Sequence, residues 1–192
     1  ALATEATVRE GAAQLRRAGL APVVDPVLLS SSGHSLLDEG GRRALVEALL
    51  PIALLITPNA PEAEALTGQR VRDQAGAERA GRELIERGAR AVLVKGGHLE
   101  GPESIDVLVT PHGVRRYASP RSARRDVRGT GCTLSAAIAA LLARGEDLET
   151  SIELAKAWLT AAIEGAPVVA RGRGSVDHFA PFPLRARGRG PL

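Results

Sequence analysis

Four short stretches of this chain carry residue types that could do chemistry together. In RGTGCTL, Gly129 and Gly131 have no β-carbon, so the backbone can take unusual dihedrals and admit a ligand close to its amides, while Thr130 adds a hydroxyl. Cys132, which follows, is the only cysteine of the chain. Leu134, Ile138, Leu141 and Leu142 then recur at helical spacing, so a helix is expected from Thr133 onward. The first turn of such a helix has unsatisfied N–H groups and a partial positive charge, which makes it an anion site. A thiol at that end is expected to ionise more readily than usual. The plainer alternative is that glycines end a strand, a helix begins and a small cysteine packs.

Each of the other stretches also has two readings. In TPNAPEAEALTG, Asn59 and Glu62 have the spacing of an N-cap residue and its reciprocal glutamate, with Pro61 compatible with an early helical position. Asp25 in VVDPV either steadies the turn before Ser30 or faces a ligand. Lys95 in VLVKGGH could run from a strand end to solvent, but Gly96 and Gly97 directly after it suggest close approach of backbone to a ligand. His98 reads as a turn or surface residue.

These residues need a frame, and the chain alternates helical and strand patterns in a way that argues for a mostly parallel sheet covered by helices. Thr4 to Ala18 reads as a helix with Val8, Ala12 and Leu15 on one face and Gly19 as its stop. PVVDP is a short strand, Ser30 to Gly33 a polar loop, Gly40 to Leu50 helical, Ala53 to Thr57 a strand, and a short helix runs to Gly68. Asp73 to Arg87 is a long helix feeding the strand AVLV, and Ile105 to Thr110 with Val114 to Ala118 form a hairpin around Pro111, His112 and Gly113. Leu148 to Glu164 is a last amphipathic helix. In open parallel α/β sheets, ligands bind beyond the carboxyl ends of the strands. Asp25, the Asn59–Glu62 pair, Lys95 and the Gly129 loop are therefore expected to converge on one edge.

Composition sets outer limits. With 192 residues, 44% hydrophobic and 24% charged, one globular domain over 1–180 with a basic Gly/Pro-containing, disordered tail over 181–192 (Arg185, Arg187, Arg189) is expected. The net charge of +3 comes with only 2% aromatic residues, too few for a base-stacking platform, so no nucleic-acid partner is expected. No apolar run approaches the ~20 residues of a membrane helix and the start lacks a signal-peptide pattern, which reads as cytoplasmic with no membrane partner. One cysteine and four scattered histidines argue against disulfides and zinc-type clusters.

The string GTGCTLSAAIAALLA, taken with DPV, the N-x-x-E of Asn59 and Glu62, KGG at Lys95, the Asp-Val-Leu of Asp106 and the late GRGSVDHF, resembles the ribokinase-like small-molecule kinases. In particular it resembles the hydroxymethylpyrimidine and hydroxymethylpyrimidine-phosphate kinases of thiamine biosynthesis. Most ribokinase-like enzymes carry aspartate after the Gly-Thr-Gly, and cysteine there resembles the pyrimidine-kinase branch. The resemblance implies a three-layer α/β/α fold with a mostly parallel central sheet. It also implies ATP-dependent phosphorylation of a small pyrimidine alcohol and its monophosphate, and Mg2+ associated with Asp25 and Glu62. Lys95, Gly96, Asn59, Thr130 and Gly131 would lie at the nucleotide. The amides of Gly129, Thr130 and Gly131 would meet the transferring phosphoryl, Cys132 would be the base, and Asp106 would be structural. No Walker string GxxxxGK[ST] occurs.

Two departures stand beside this likeness. Arg128 occupies a place where these kinases usually have histidine, and nothing matches the family's glycine-rich AGSDxSGGAG-like opening. The chain is therefore expected to lack N-terminal strands that carry much of the acceptor pocket, to expose sheet edges that favour a homo-oligomer, and alone to bind magnesium-ATP weakly with little turnover. A pyridoxal kinase and a nucleotide-binding remnant without turnover are the other readings.

Overall fold

The computed structural model of the chain describes residues 3–29, 34–99, 101–124, 127–169 and 173–182. The Ser30 to Gly33 loop, Arg125, Asp126 and the tail arginines lie outside the described residues. Backbone contacts fall into two units, Ala1–Arg121 and Ser122–Leu192.

The first unit opens with α1 (Glu5–Arg17), whose N-terminus is capped by the Thr4 side chain accepting from the Thr7 amide. Glu5 in its first turn and Arg16 and Arg17 in its last complement the helix dipole, and Val8 and Ala12 are buried. β1 (Val23–Val24) follows. α2 (Glu39–Ala44), capped by Asp38, continues into a π turn over Leu45–Leu49 and a 3-10 turn over Leu50–Ile52. The helical run expected from Gly40 to Leu50 is thus present in three geometries; Pro51, with no N–H to donate, ends the regular ladder. β2 (Leu55–Ile56) leads to α3 (Ala60–Thr67), which Gly68 terminates at φ 76°. α4 (Gln74–Glu86) is capped by Asp73, and β3 (Val92–Val94), β4 (Glu103–Thr110) and β5 (Gly113–Pro120) complete the unit.

The strands pair in the order β1-β2-β3-β4-β5. The sheet is mixed: β1, β2 and β3 run parallel, while the β4–β5 hairpin joins antiparallel to β3. Val92, Leu93 and Val94 are fully buried, as a strand covered on both faces requires. α4 packs on β3 and β4, and Gly81 permits the approach, since a β-carbon there would lie 2.5 Å from Val109 Cγ2. Leu45, Leu50, Leu84 and Ile56 complete a core in which each such side chain contributes roughly 1.5–3 kcal/mol.

In the second unit, β6 (Val127–Arg128) passes into α5 (Thr130–Ala143), followed by α6 (Leu148–Glu164), β7 (Val168–Val169) and β8 (Arg173–Ser175). β8 lies between β6, with which it is parallel, and β7, with which it is antiparallel. Leu134, Ile138 and Leu141 of α5 and Ile152, Ala155 and Leu159 of α6 are buried where the two helices pack. The Trp158 indole N–H donates to the Ala180 carbonyl at 2.9 Å, and its ring lies 5.1 Å from that of Phe182, fixing the segment after β8. Among the described residues, no helix is long and apolar enough to cross a membrane.

Candidate active site

In the first unit the parallel strands deliver three of the expected segments to one place. Asp25 follows β1, Asn59 stands at the head of α3 after β2, and Lys95 follows β3. The backbone joins the last two: Asn59 and Lys95 form a parallel bridge, and the Lys95 amide donates to the Pro58 carbonyl at 2.8 Å. The Lys95 ammonium donates to Asp25 Oδ1 at 2.6 Å and lies 3.9 Å from Glu62 Oε2. Lys95 is only 8% exposed and Glu62 7%, so the strand-end lysine does not run out to solvent but sits between two carboxylates. The Thr57 hydroxyl is placed 3.3 Å from the same Asp25 oxygen.

Asn59 and Glu62 form the reciprocal cap that their spacing predicts. The Glu62 amide donates to Asn59 Oδ1 at 2.9 Å and the Asn59 amide to Glu62 Oε2 at 2.7 Å, with Pro61 in the first turn of α3. One ammonium against two carboxylates, Glu62 buried and Asp25 half-buried, leaves an excess of negative charge. Burial pushes the Glu62 carboxyl above the ordinary glutamate range, opposed by the Asn59 amide, the Lys95 charge and the Leu28 amide and reinforced by the Asp25 charge. A divalent cation that keeps most of its waters and takes one or two carboxylates fits this donor set. Among the described residues, no group of three or more His, Cys, Asp or Glu side chains is placed to hold a metal ion.

The two glycines after Lys95 separate in role. A β-carbon on Gly96 would lie 2.0 Å from the Ile105 carbonyl oxygen, so its close approach is to the backbone of β4, where sequence reasoning pointed to a ligand. The Gly96 amide donates to Asp106 Oδ1 at 2.7 Å, which gives buried Asp106 the structural task expected of it. A β-carbon on Gly97 would meet nothing within 4 Å, leaving open space at that backbone. Beside Glu62 lies a cavity of about 140 Å³ walled by Leu28, Leu37, Pro61 and Ala65, with Arg42 also lining it. No sequence signal pointed to this cavity or to Thr57.

In the second unit, α5 begins at Thr130, three residues before the position expected from the apolar periodicity. Gly129, at φ 82°, is the N-cap and makes the turn from β6 straight into the helix. Thr130, Gly131 and Cys132 therefore form the first helical turn instead of a loop preceding it, and only Gly129 uses backbone freedom that other residues lack. Gly129 has no side chain to cap the helix, so the first-turn amides face outward with the positive end of the dipole. Cys132 is exposed at the third helical position, not buried as the packing alternative requires, and forms no disulfide. The Ser135 hydroxyl donates back to the Gly131 carbonyl at 3.0 Å.

A family model described as phosphomethylpyrimidine kinase matches residues 1–177. Among curated proteins, the hydroxymethylpyrimidine/phosphomethylpyrimidine kinase of Rhizobium meliloti is 45% identical over 179 residues, covering 92% of this chain and 66% of that protein. The thiamine biosynthesis bifunctional protein ThiED of Geobacter sulfurreducens is 46% identical over 157 residues, covering 82% of this chain and 32% of that protein. Among solved structures, the phosphomethylpyrimidine kinase of Clostridium difficile is similar with a TM-score of 0.72 and 35% identity, over 85% of this chain and 66% of that one. The pyridoxal kinase of Staphylococcus aureus in complex with AMP-PCP and pyridoxal gives a TM-score of 0.85 at 28% identity, over 94% of this chain and 65% of that one. The chain thus spans at most about two thirds of the length of these curated relatives. The fold is of the ribokinase-like α/β class.

Proposed function

The chain belongs to the phosphomethylpyrimidine kinase family, and from that premise we propose that it supplies the phosphate-handling part of an ATP-dependent kinase acting on 4-amino-5-hydroxymethyl-2-methylpyrimidine and then on its monophosphate. The observation that carries this reading is the exposed Cys132 in an uncapped first turn of α5, entered through a glycine at positive φ. It joins a phosphate-binding helix end and a thiol in one turn.

Phosphoryl transfer requires the donor phosphates held, their charge compensated and the acceptor hydroxyl relieved of its proton. In the second unit, the backbone at Gly129, Thr130 and Gly131 presents N–H groups to the oxygens of the transferring phosphoryl, and the α5 dipole adds to their field. Cys132, as thiolate, accepts the proton of the hydroxymethyl group while that oxygen bonds to the γ-phosphorus and the bond to the ADP oxygen breaks. In the second round the thiolate faces the phosphate of the monophosphate.

In the first unit, Asp25 and Glu62 are the carboxylates that would hold Mg2+ and its waters, and the metal when bound neutralises charge on the ATP phosphates. Lys95 positions Asp25 through their short ion pair, and its ammonium, with the open backbone at Gly97, is assigned to the nucleotide. Asn59 holds Glu62 in place through the reciprocal cap.

A second reading has one observation in its favour: the pyridoxal kinase of Staphylococcus aureus superposes with the higher TM-score, although its sequence identity is the lower. Backbone shape is shared by both kinds of kinase, whereas the family model and the sequence identities favour the pyrimidine. Measuring kcat/KM for hydroxymethylpyrimidine and pyridoxal with the protein from the complete reading frame decides between them. A preference for pyridoxal overturns the pyrimidine assignment, and nucleotide binding without transfer to either alcohol overturns both.

A further inference from the structure

We infer that Arg121 is a positioning residue for nucleotide binding, acting through the backbone that continues from Lys95, Gly96 and Gly97; this rests on the nucleotide reading of that stretch. Its guanidinium donates to four carbonyls, three in the loop before β4 and one at the first residue of β4. Nε reaches the Gly101 oxygen at 2.9 Å, Nη1 the Gly97 oxygen at 2.8 Å, and Nη2 both the Leu99 oxygen and, at 3.0 Å, the Glu103 oxygen. Its own amide donates to a fifth carbonyl in the same loop, that of Pro102, at 3.0 Å.

Backbone carbonyls in an irregular loop need donors, and here one planar cation supplies them around its rim. The 3-10 turn of Gly96–His98 starts this loop, and the Gly96 amide is held from the other side by Asp106 of β4. Both ends of the turn after Lys95 are therefore fixed by the hairpin: by Asp106 within β4 and by Arg121 directly after β5. Gly97, whose carbonyl Arg121 grips, has open space at its Cα, as does Gly101, whose carbonyl Arg121 also holds. Without the clamp, that backbone samples many arrangements and ATP must select the competent fraction, which weakens apparent affinity in proportion. Lysine cannot replace the clamp, because its three tetrahedral donors do not match a fork of in-plane N–H groups.

The test compares wild type, R121A and R121K, all from the complete reading frame. Hydrogen exchange of the amides in residues 97–103 is expected to speed up in both variants. KM and the calorimetric Kd for ATP are expected to rise about tenfold, the equivalent of one charge-assisted hydrogen bond. The kcat at saturating ATP and the KM for the alcohol should stay within about twofold, the pattern of a lost ground-state positioning effect. Unchanged exchange, unchanged ATP affinity, full rescue by R121K, or a parallel loss in kcat and both KM values each overturns the inference. If R121A does not fold, R121K is read alone by exchange and ATP affinity. A wild type that binds ATP but phosphorylates neither alcohol sinks the kinase reading, and Arg121 is then judged on exchange and Kd.

Discussion

Replacing Lys95 with methionine removes the ammonium from between Asp25 and Glu62 while leaving an apolar stem of similar length. At 2.6 Å from Asp25 and 3.9 Å from Glu62, its attractions are about 6 and about 4 kcal/mol at an effective dielectric of ~20, before the opposing cost of desolvation. Breaking a buried pair from one side leaves a stranded charge and costs about 3–5 kcal/mol, a large share of the roughly 5–15 kcal/mol that holds a domain folded. The loss must depend on pH. With the cation gone, Glu62, already raised by burial and held down in part by the Lys95 charge, has a folded-state pKa further above its unfolded one. The folded state then binds more protons, and stability falls as pH rises through that window. Urea denaturation of K95M and wild type at about pH 7.5 and about pH 5 is the assay, with a deficit of about 3–5 kcal/mol expected at the higher pH and a clearly smaller one at the lower. Adding D25N to K95M should recover part of the loss, because it removes the stranded charge. A deficit below about 1 kcal/mol, the range of an exposed pair, or one identical at both pH values, would refute the argument.

C132A is expected to lower turnover by about 10²- to 10⁴-fold with ATP affinity unchanged, since the thiolate acts on the acceptor; calorimetry beside steady-state rates checks both halves. G96A should destabilise the fold by about 1–3 kcal/mol, because its methyl would sit 2.0 Å from the Ile105 oxygen, and denaturant midpoints measure it. Glu62 has a folded-state pKa raised by burial, so its contribution to stability is lost as pH rises from about 4.3 through the raised value. E62Q, which keeps an acceptor for the Asn59 amide, should flatten that part of the stability curve relative to wild type.

Much of this was legible because the controlling physics is local. The Asn59–Glu62 cap, the Asp73 start of α4, the Gly68 stop and the full span of α6 follow from spacing and end residues that act within a turn or two. The start of α5 was not, because glycines at 129 and 131 read as a loop, whereas Gly129 alone makes the turn and Gly131 accepts a helical conformation. β6, β7 and β8 are two or three residues long, too short to show a period. The partner of Lys95 lies 70 residues away, so only the sheet order reveals that its ammonium sits between carboxylates. Gly96 carried the right signal of close approach, but sequence could not say that the approaching group is the Ile105 carbonyl. Arg121 is one of several arginines in SPRSARRD, and nothing local separates it from its neighbours.

The most direct test is a transfer experiment with the protein from the complete reading frame, magnesium, hydroxymethylpyrimidine and ATP labelled with heavy oxygen on its γ-phosphate, followed by mass spectrometry. The account predicts labelled phosphate on the hydroxymethyl oxygen with one ADP per phosphate transferred, then a second labelled phosphate on the monophosphate, both abolished by C132A. Label released only as inorganic phosphate, or full transfer by C132A, would contradict it.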